Sequence, residues 1–435
     1  MTRPNHPEQV AATALPINGG LMQDSNLSSV VISGVGLVTS LGWGRRATFQ
    51  RLCAGEKAVG QGHWDSKQHG QQAWAGYPVT VLDQDLDPDW PDPVFNLLGS
   101  AADEALADAS LDPLKWDPTR VAVVVGLSKG AVRLQSRWAG NPSAMQGDVA
   151  ACKLGWAVAA PSAGSSFIAS RYSTTGPILA PITACATGLT ALRHAAALLK
   201  HGSCDIVLAG AADASLEPLI YGAFTRMKSL AGPSFPGDSP LTWVRPWSSR
   251  RNGFLIGEGG AIFVLERAED VTRSGRTAIA KIDRMAAGSE AYHPTRPHDS
   301  SDVLSRVIRQ VVHQCLDPVQ IEAVHLHATA TRGYDPLEAA AVSRSLGNQA
   351  QAAFMLASKT QIGHCLGAAG AVELAICCES LREGILPPFA HDGTLEFDPP
   401  GRPVGPVPIV KRIDNILKIV AGFGGHVEVC LLERL

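Results

Sequence analysis

The segment Thr183-Ala184-Cys185-Ala186-Thr187-Gly188 joins a strand-like pattern to a helical one. An apolar, strand-like segment at residues 177–182 leads into it, and an alanine-rich helical pattern at residues 186–200 follows it. Such a strand–turn–helix arrangement places the Cys185 sulfur at a helix N-terminus, where the aligned peptide dipoles favour an anion. We therefore predict that the pKa of the Cys185 thiol is lowered, which is typical of a nucleophilic cysteine.

Continuous apolar runs lie on both sides of this stretch and alternate with helical patterns. Such runs predict strands that are buried on both faces, and their alternation with helices predicts an α/β architecture. The strand candidates are residues 30–32, 121–125, 205–208, 262–265, 278–282, 323–327, 354–357, 419–421 and 427–432. The helix candidates are residues 98–106, 186–200, 301–314 and 336–346.

The chain divides into two parts with a similar alternation of strand and helix patterns. We predict a flexible tail at residues 1–28, a first half at 29–267 that contains Cys185, and a second half at 268–435 that contains two further candidate residues, His327 and His364. A faint internal repeat suggests a duplicated build. Its positions are Gly188, Leu192, Leu199 and Gly202, which recur at the same offsets as Gly370, Leu374, Leu381 and Gly384.

The composition excludes several classes of protein. The 435 residues include 37 basic and 40 acidic side chains, a balance that argues against nucleic-acid binding. Hydrophobic residues make up 45% of the chain, which is too apolar for intrinsic disorder. No apolar run approaches the ~20 residues that span a bilayer, and residues 1–29 do not form a signal peptide, so we expect a cytoplasmic protein. The nine cysteines form no CxxC pair, and apart from Cys185 they are predicted to be free buried thiols.

Two histidines stand out by their context, because a nucleophilic cysteine usually has a histidine nearby in space. His327 ends an apolar strand and is followed by Ala-Thr-Ala-Thr, and His364 lies in a glycine turn before a tightly packed helix. His325 and His327 also form an HxH pair, but no third ligand stands at a useful spacing, so we predict no metal site. The glycine turns at 257–260 and 422–425 do not match phosphate-binding loops.

Together these motifs resemble the beta-ketoacyl-acyl-carrier-protein synthases, which are condensing enzymes of the thiolase-like superfamily. The resemblance runs from about residue 30 to residue 432. It implies an α/β thiolase-like fold with two similar α/β halves in a layered α-β-α-β-α arrangement. The matching motifs are the nucleophile motif at 183–188, the first histidine motif at 327–331, the second histidine motif at 359–370 and the C-terminal glycine turn at 422–425.

The resemblance implies a mechanism in two stages. Cys185 would accept an acyl chain from a carrier-protein thioester, and His327 and His364 would then stabilise the enolate that malonyl carrier protein forms when it loses CO2. The backbone amides of Cys185 and Phe423 would form the oxyanion hole, and Phe423 would also gate the entry of the second substrate. Glu338 is implied to form a supporting ion pair with Lys359.

The remaining implied roles concern the substrate. Thr329 and Thr331 would hold the amides of the phosphopantetheine arm, and Gly424 would lie against the substrate. No cofactor is implied apart from that arm, which belongs to the carrier protein. The implied partners are an acyl carrier protein and a second synthase subunit, identical or related, in a dimer.

The chain departs from the family pattern at several positions. Ala328 and Ala330 replace the two glycines of the HGTGT motif, and Tyr334 stands where the family has asparagine. Val427 replaces the usual asparagine after the C-terminal glycine turn. These departures bear on substrate choice and rate, and they favour a specialised synthase over a housekeeping elongation enzyme.

The predicted function is therefore a beta-ketoacyl synthase, an acyltransferase of fatty acid or polyketide synthesis. The alternative is a non-catalytic partner subunit, similar to a chain-length factor, although such partners usually lack the cysteine. A degradative thiolase is a third possibility, but thiolases pair one histidine with a second cysteine.

Overall fold

The computed structural model describes residues 28–66, 70–80, 82–141, 155–313, 319–389 and 393–435. The tail predicted at residues 1–28 lies outside this range except for its last residue. Apolar side chains of both halves form one large buried core, and a second core lies under the first half. Among the described helices, none is both long enough and apolar enough to cross a membrane.

The strands are β1 (Val30–Thr39), β2 (Gly42–Trp43), β3 (Gly60–Ser66), β4 (Gly70–Gly76), β5 (Val121–Gly126), β6 (Ile178–Leu179), β7 (Ile206–Asp213), β8 (Gly259–Arg267), β9 (Ala280–Ser289), β10 (Ala323–His325), β11 (Phe354–Leu356), β12 (Ile385–Leu386), β13 (Arg402–Pro403), β14 (Ile409–Val410), β15 (Asn415–Gly422) and β16 (His426–Arg434). Most of them join one sheet with the order β13-β11-β10-β15-β16-β9-β1-β8-β7-β5-β6.

The same strand pattern occurs twice in this sheet, and the two copies meet where β9 pairs with β1. In the first half, β6, β5 and β7 are parallel, and β8 and β1 follow antiparallel. In the second half, β11, β10 and β15 are parallel, and β16 and β9 follow antiparallel. This shared order is what a duplicated build produces.

The helices are α1 (Arg45–Cys53), α2 (Pro93–Asp108), α3 (Val132–Gly140), α4 (Ala163–Arg171), α5 (Thr187–Lys200), α6 (Pro218–Arg226), α7 (Ala268–Arg273), α8 (Asp302–Val312), α9 (Asp335–Leu346), α10 (Asn348–Ala352), α11 (Lys359–Ile362) and α12 (Ala369–Glu383). Helix α2 packs on β1 and β8, and helix α8 packs on β9 and β16, so each half has an outer helix on its antiparallel strands.

Helices α5 and α12 form the centre of the molecule, and each contacts strands of both halves. They are the two helices of the internal repeat. Their N-terminal ends pack closely, because a Cβ atom on Gly188 would lie 2.6 Å from the backbone nitrogen of Ala371. On the other helix, a Cβ on Gly370 would lie 3.1 Å from the nitrogen of Leu189. The repeated glycines therefore let the two helix starts, and the residues just before them, come together.

Every predicted strand outside the nucleophile region is present, most of them longer than the apolar run that indicated them. Residues 30–32, for example, begin a ten-residue strand. The prediction for 177–182 is wrong in extent, because only Ile178 and Leu179 form a strand and both are exposed. Proline at 177 and 181 restricts the backbone of this segment and removes hydrogen-bond donors.

Candidate active site

Cys185 lies in a 3-10 turn, Ala184–Ala186, directly before helix α5. Ala184 adopts the left-handed conformation, with φ 49°. The Thr187 hydroxyl stabilises the turn by accepting from the Thr183 amide at 3.0 Å and donating to the Ala184 carbonyl at 2.7 Å. The sequence therefore predicted the start of helix α5 and the position of Cys185 correctly.

The glycine turn between β15 and β16 lies against the nucleophile. A Cβ atom on Gly422 would lie 2.7 Å from the Thr183 carbonyl oxygen and 3.1 Å from the Cys185 nitrogen, so only glycine allows this approach. The backbone N–H of Phe423 points to the Cys185 sulfur. Gly424, at φ 86°, donates its N–H to the Pro294 carbonyl at 2.7 Å and completes the turn.

The pKa of the Cys185 thiol is raised to about 11, so the prediction of a lowered pKa is wrong. Burial is the largest cause, because the low-dielectric interior disfavours a thiolate. The ammonium groups of Lys129 and Lys359 and the N–H of Phe423 oppose the burial effect without overcoming it. In the free protein Cys185 is therefore a protonated thiol at neutral pH.

His327 follows β10, and a carboxylate holds its backbone in place. Glu338 on α9 accepts the His327 N–H at 2.6 Å and the Ala328 N–H at 2.8 Å. Lys359 Nζ donates to the His327 carbonyl oxygen at 2.5 Å and lies 3.4 Å from His327 Nδ1. Because an ammonium group only donates, Nδ1 is the acceptor, and the ring proton of His327 is on Nε2.

The predicted ion pair between Lys359 and Glu338 is wrong. The carboxylate bound to Lys359 is Glu373, with 2.5 Å between Nζ and Oε1. Glu338 instead accepts backbone N–H groups of the histidine loop, as described above. Sequence reasoning missed Glu373, although a glutamate within the apolar pattern of α12, one turn after the second histidine motif, was a usable signal.

His364 lies beside His327, with 5.3 Å between the ring centroids and 82° between the ring planes. The Phe254 ring packs edge-on against His364 at 4.8 Å. His364 Nδ1 has no hydrogen-bond partner within the described part of the chain. Burial first and the nearby Lys359 second lower the pKa of both histidines well below the usual value, so both rings are neutral at neutral pH.

Cys185, His327 and His364 all line one cavity of about 530 Å³. Thr329 and Thr331 also line this cavity, and their hydroxyl oxygens lie 2.9 Å apart. The Phe423 ring stands at the cavity wall and stacks on Phe224 with 6.1 Å between centroids. The structure thus brings together the predicted nucleophile, both histidines, both threonines and Phe423.

The two alanines of the histidine loop adopt backbone conformations that favour glycine. Ala328 has φ 41° and Ala330 has φ 56°, both in the left-handed region. The left-handed conformation has a cost of roughly 1–2 kcal/mol for each alanine. Tyr334 also lines the cavity and packs edge-on against His327 at 5.4 Å.

A further charged pair near Cys185 was not predicted. Lys129, in the loop after β5, lies 2.6 Å from Asp213 at the end of β7. The same Asp213 oxygen accepts the Gly367 N–H at 3.1 Å. The ammonium group lowers the pKa of Cys185, and the Asp213 carboxylate raises it. The Lys129–Asp213 pair therefore lies between the nucleophile motif, which contains Cys185, and the second histidine motif, which contains Gly367.

The comparisons with known proteins agree with this geometry. The family "Beta-ketoacyl synthase, N-terminal domain" matches residues 27–271, and "Beta-ketoacyl synthase, C-terminal domain" matches residues 279–392. The chain is 29% identical over 418 residues to the tetracenomycin polyketide synthase ketoacyl synthase alpha subunit of Streptomyces glaucescens, covering 93% of this chain and 97% of the relative. It is also 29% identical over 417 residues to the 3-oxoacyl-acyl-carrier-protein synthase 2 of Coxiella burnetii, with the same coverage of each.

A solved structure described as the ishigamide ketosynthase/chain length factor superposes with a TM-score of 0.80. Its sequence is 26% identical, and the match covers 94% of this chain and 99% of that one. The predicted fold class is confirmed, because the structural neighbours are ketosynthases with the thiolase-like fold. By its sequence, its fold and the family matches over most of its length, this chain belongs to the beta-ketoacyl synthase family.

Proposed function

We propose that this protein is an acyltransferase that joins an acyl group on Cys185 to a malonyl unit on an acyl carrier protein by decarboxylative Claisen condensation. The single observation that carries the proposal is the convergence of Cys185, His327 and His364 on one cavity. The Phe423 N–H at the sulfur adds the donor that an oxyanion requires. Fatty acid or polyketide synthesis is the setting that the relatives' names support.

In the first step the acyl group moves to the enzyme. The Cys185 sulfur attacks the carbonyl carbon of the acyl thioester, and the negative charge on the oxygen is stabilised by the N–H groups of Cys185 and Phe423. Collapse of this intermediate breaks the bond to the carrier sulfur, which leaves as a thiol with the Cys185 proton. Because the free thiol is protonated at neutral pH, deprotonation has to accompany the attack.

In the second step the malonyl thioester loses CO2, and the electron pair of the broken C–C bond moves to the thioester as an enolate. The Nε2–H of His327, directed by Lys359 on the opposite ring nitrogen, donates to the enolate oxygen together with His364. The enolate carbon attacks the acyl carbon on Cys185. The resulting intermediate expels the Cys185 thiolate, which takes up one proton from solvent.

The cavity lining and the charges around it support an acyl carrier protein as the partner. Thr329 and Thr331 would hold the phosphopantetheine amides of an acyl carrier protein, and the exposed Lys228, Arg296 and Arg332 at the cavity suit its phosphate and an acidic carrier. Gly424, which was predicted to lie against the substrate, does not line the cavity itself, whereas its neighbours Phe423 and Gly425 do. No other cofactor is required, because decarboxylation drives the condensation. The cytoplasm is the proposed location.

A dimer, with an identical or a related subunit, is also part of the proposal. Strand β6 stands at the end of the sheet order, and its Ile178 and Leu179 are exposed, as is Ile182 after it. An unpaired strand edge with apolar side chains favours pairing with another chain. The alternative of a non-catalytic partner subunit is not favoured, because the nucleophile and both histidines are assembled.

The proposal is tested by reconstitution with purified acyl and malonyl carrier proteins. The wild-type protein should release CO2 and form a beta-ketoacyl product, and Cys185→Ala should lose the product. Cys204→Ala is the matched control, because Cys204 is a buried free cysteine before β7 that does not line the cavity. Unchanged product formation by Cys185→Ala would overturn the assignment.

A further inference from the structure

Lys418 is a second lysine on the carboxylate that holds Lys359. Its Nζ, which projects from β15, lies 2.5 Å from Glu373 Oε2, while Lys359 Nζ lies 2.5 Å from Oε1. No side chain of the three is more than 2% exposed. Each oxygen of one buried carboxylate therefore has its own ammonium group.

The other contacts of Lys418 lead to the residues just before His327. Nζ donates to the Leu326 carbonyl oxygen at 3.2 Å and lies 3.2 Å from His325 Nδ1. A proton on Nδ1 would face an ammonium group, so the proton of His325 is on Nε2 and is donated to Ser358 Oγ at 2.7 Å. Ser358 directly precedes Lys359, and the network therefore closes on both lysines.

Burying this network costs more folding free energy than a purely structural contact needs to. Glu373 already has one counter-ion in Lys359, so a second buried ammonium group on the same carboxylate carries a desolvation penalty that this one carboxylate does not offset. An apolar side chain at position 418 would avoid that cost. The Lys418 ammonium group contacts the residue directly before His327, where it can act on the reaction.

We propose that Lys418 is a positioning residue for the decarboxylation step, holding Glu373 so that Lys359 stays on His327 and adding positive charge beside the two histidines. This inference rests on the proposed function. Lys418 does not line the cavity and therefore acts through Glu373 and Lys359 rather than on the substrate. Its loss should slow CO2 release and leave acyl transfer to Cys185 close to normal.

The pH dependence of decarboxylation follows from the charges around the histidines. A neutral ring donates to the developing enolate, whereas an imidazolium would also hold the substrate carboxylate and stabilise the ground state. Lys418 is one of the cations that lower the pKa of both rings, after burial and Lys359. The other groups near the two rings are His325, Glu338, Glu373, Lys129, Cys185 and Tyr334.

Removing Lys418 therefore raises the pKa of the histidines, because one like charge is lost. Activity falls as pH drops through that pKa, so the acid limb of the decarboxylation profile should move up. A residue that only filled space would not move this limb.

The test uses two variants of the full chain. Lys418→Met removes the charge and the donor, and Lys418→Gln keeps a donor for Glu373 without the charge. Glu373 retains Lys359 in both, so both should fold. Lys411→Met is the matched control, because Lys411 is a half-exposed lysine 3.7 Å from Glu322. CO2 release from malonyl-pantetheine, acylation of Cys185 from an acyl-pantetheine thioester and thermal unfolding are measured for each.

We expect Lys418→Met to slow CO2 release about tenfold to a hundredfold, the range for a misplaced catalytic group, with acylation within about twofold of wild type. Lys418→Gln should keep more of the rate but show the same upward shift of the acid limb. Folded Met and Gln variants with wild-type rates and an unmoved acid limb would overturn the role of Lys418. A wild-type protein that neither acylates Cys185 nor releases CO2 would instead contradict the proposed function.

Discussion

The cysteine side and the histidine side of the cavity are built by different means. Around Cys185 the structure uses backbone groups, namely a 3-10 turn before a helix and the N–H of Phe423. The glycine turn can approach this 3-10 turn because Gly422 has no side chain. Around His327 the structure uses buried charge, with Lys359 and Lys418 sharing Glu373. Backbone donors stabilise an oxyanion without a titratable group, whereas the lysines of the charge network, together with burial, also keep the histidines neutral.

A substitution of Glu373 should have the most severe consequence, because it breaks the charge network around His327. Glu373→Gln leaves two buried ammonium groups without their carboxylate, and uncompensated buried charge costs about 3–5 kcal/mol. We expect a loss of unfolding free energy of that size, measured by urea denaturation. Glu322→Gln is the control, because its partner Lys411 is half exposed and should make the loss under about 1 kcal/mol. Equal losses for both variants would contradict a decisive role for the network.

The next effect separates the two sides of the cavity by chemistry. His327→Ala should reduce CO2 release from malonyl-pantetheine by about 10²–10³-fold, the range for loss of one donor to a developing oxyanion. Acylation of Cys185 should change much less, because its donors are backbone N–H groups. If acylation and CO2 release fell together by the same factor, the division of labour would be wrong.

The third prediction tests the backbone side. In Gly422→Ala the new methyl group would lie 2.7 Å from the Thr183 carbonyl oxygen, so the two turns must move apart. We expect acylation to fall by about tenfold or more and stability to fall by about 1–3 kcal/mol. Gly405→Ala is the control, because nothing lies within 4 Å of its added carbon. If Gly422→Ala acylated Cys185 at the wild-type rate, the close contact between the two turns would not matter for acyl transfer.

The smallest effect concerns the histidine loop. Ala330→Gly relieves a left-handed backbone but loses a buried methyl group and adds flexibility to the unfolded chain, so these terms nearly cancel. We expect a change in unfolding free energy under about 1 kcal/mol. Ala341→Gly, in helix α9, relieves no strain and should cost about 1–2 kcal/mol. A larger loss at position 330 than at 341 would show that its methyl group is essential to packing.

The contrast between the cysteine side and the histidine side of the cavity also explains which features could be predicted from the sequence. Cys185, the histidines and the glycine turn lie in short, ordered motifs, so their positions and the α/β fold could be inferred from adjacent residues. Glu373 and Lys418 are 45 positions apart and meet only because α12 and β15 pack together, which no local pattern shows. The pKa of Cys185 was predicted in the wrong direction, because helix position is local and burial is a property of the whole fold.

The role of Cys185 as the residue that carries the acyl group can be measured by intact-protein mass spectrometry after incubation with an acyl carrier protein thioester. We expect this role to give one acyl adduct on the wild-type protein, mapped by digestion to Cys185, kept in His327→Ala and absent in Cys185→Ala. No adduct on the wild-type protein, or an adduct that persists in Cys185→Ala, would contradict it.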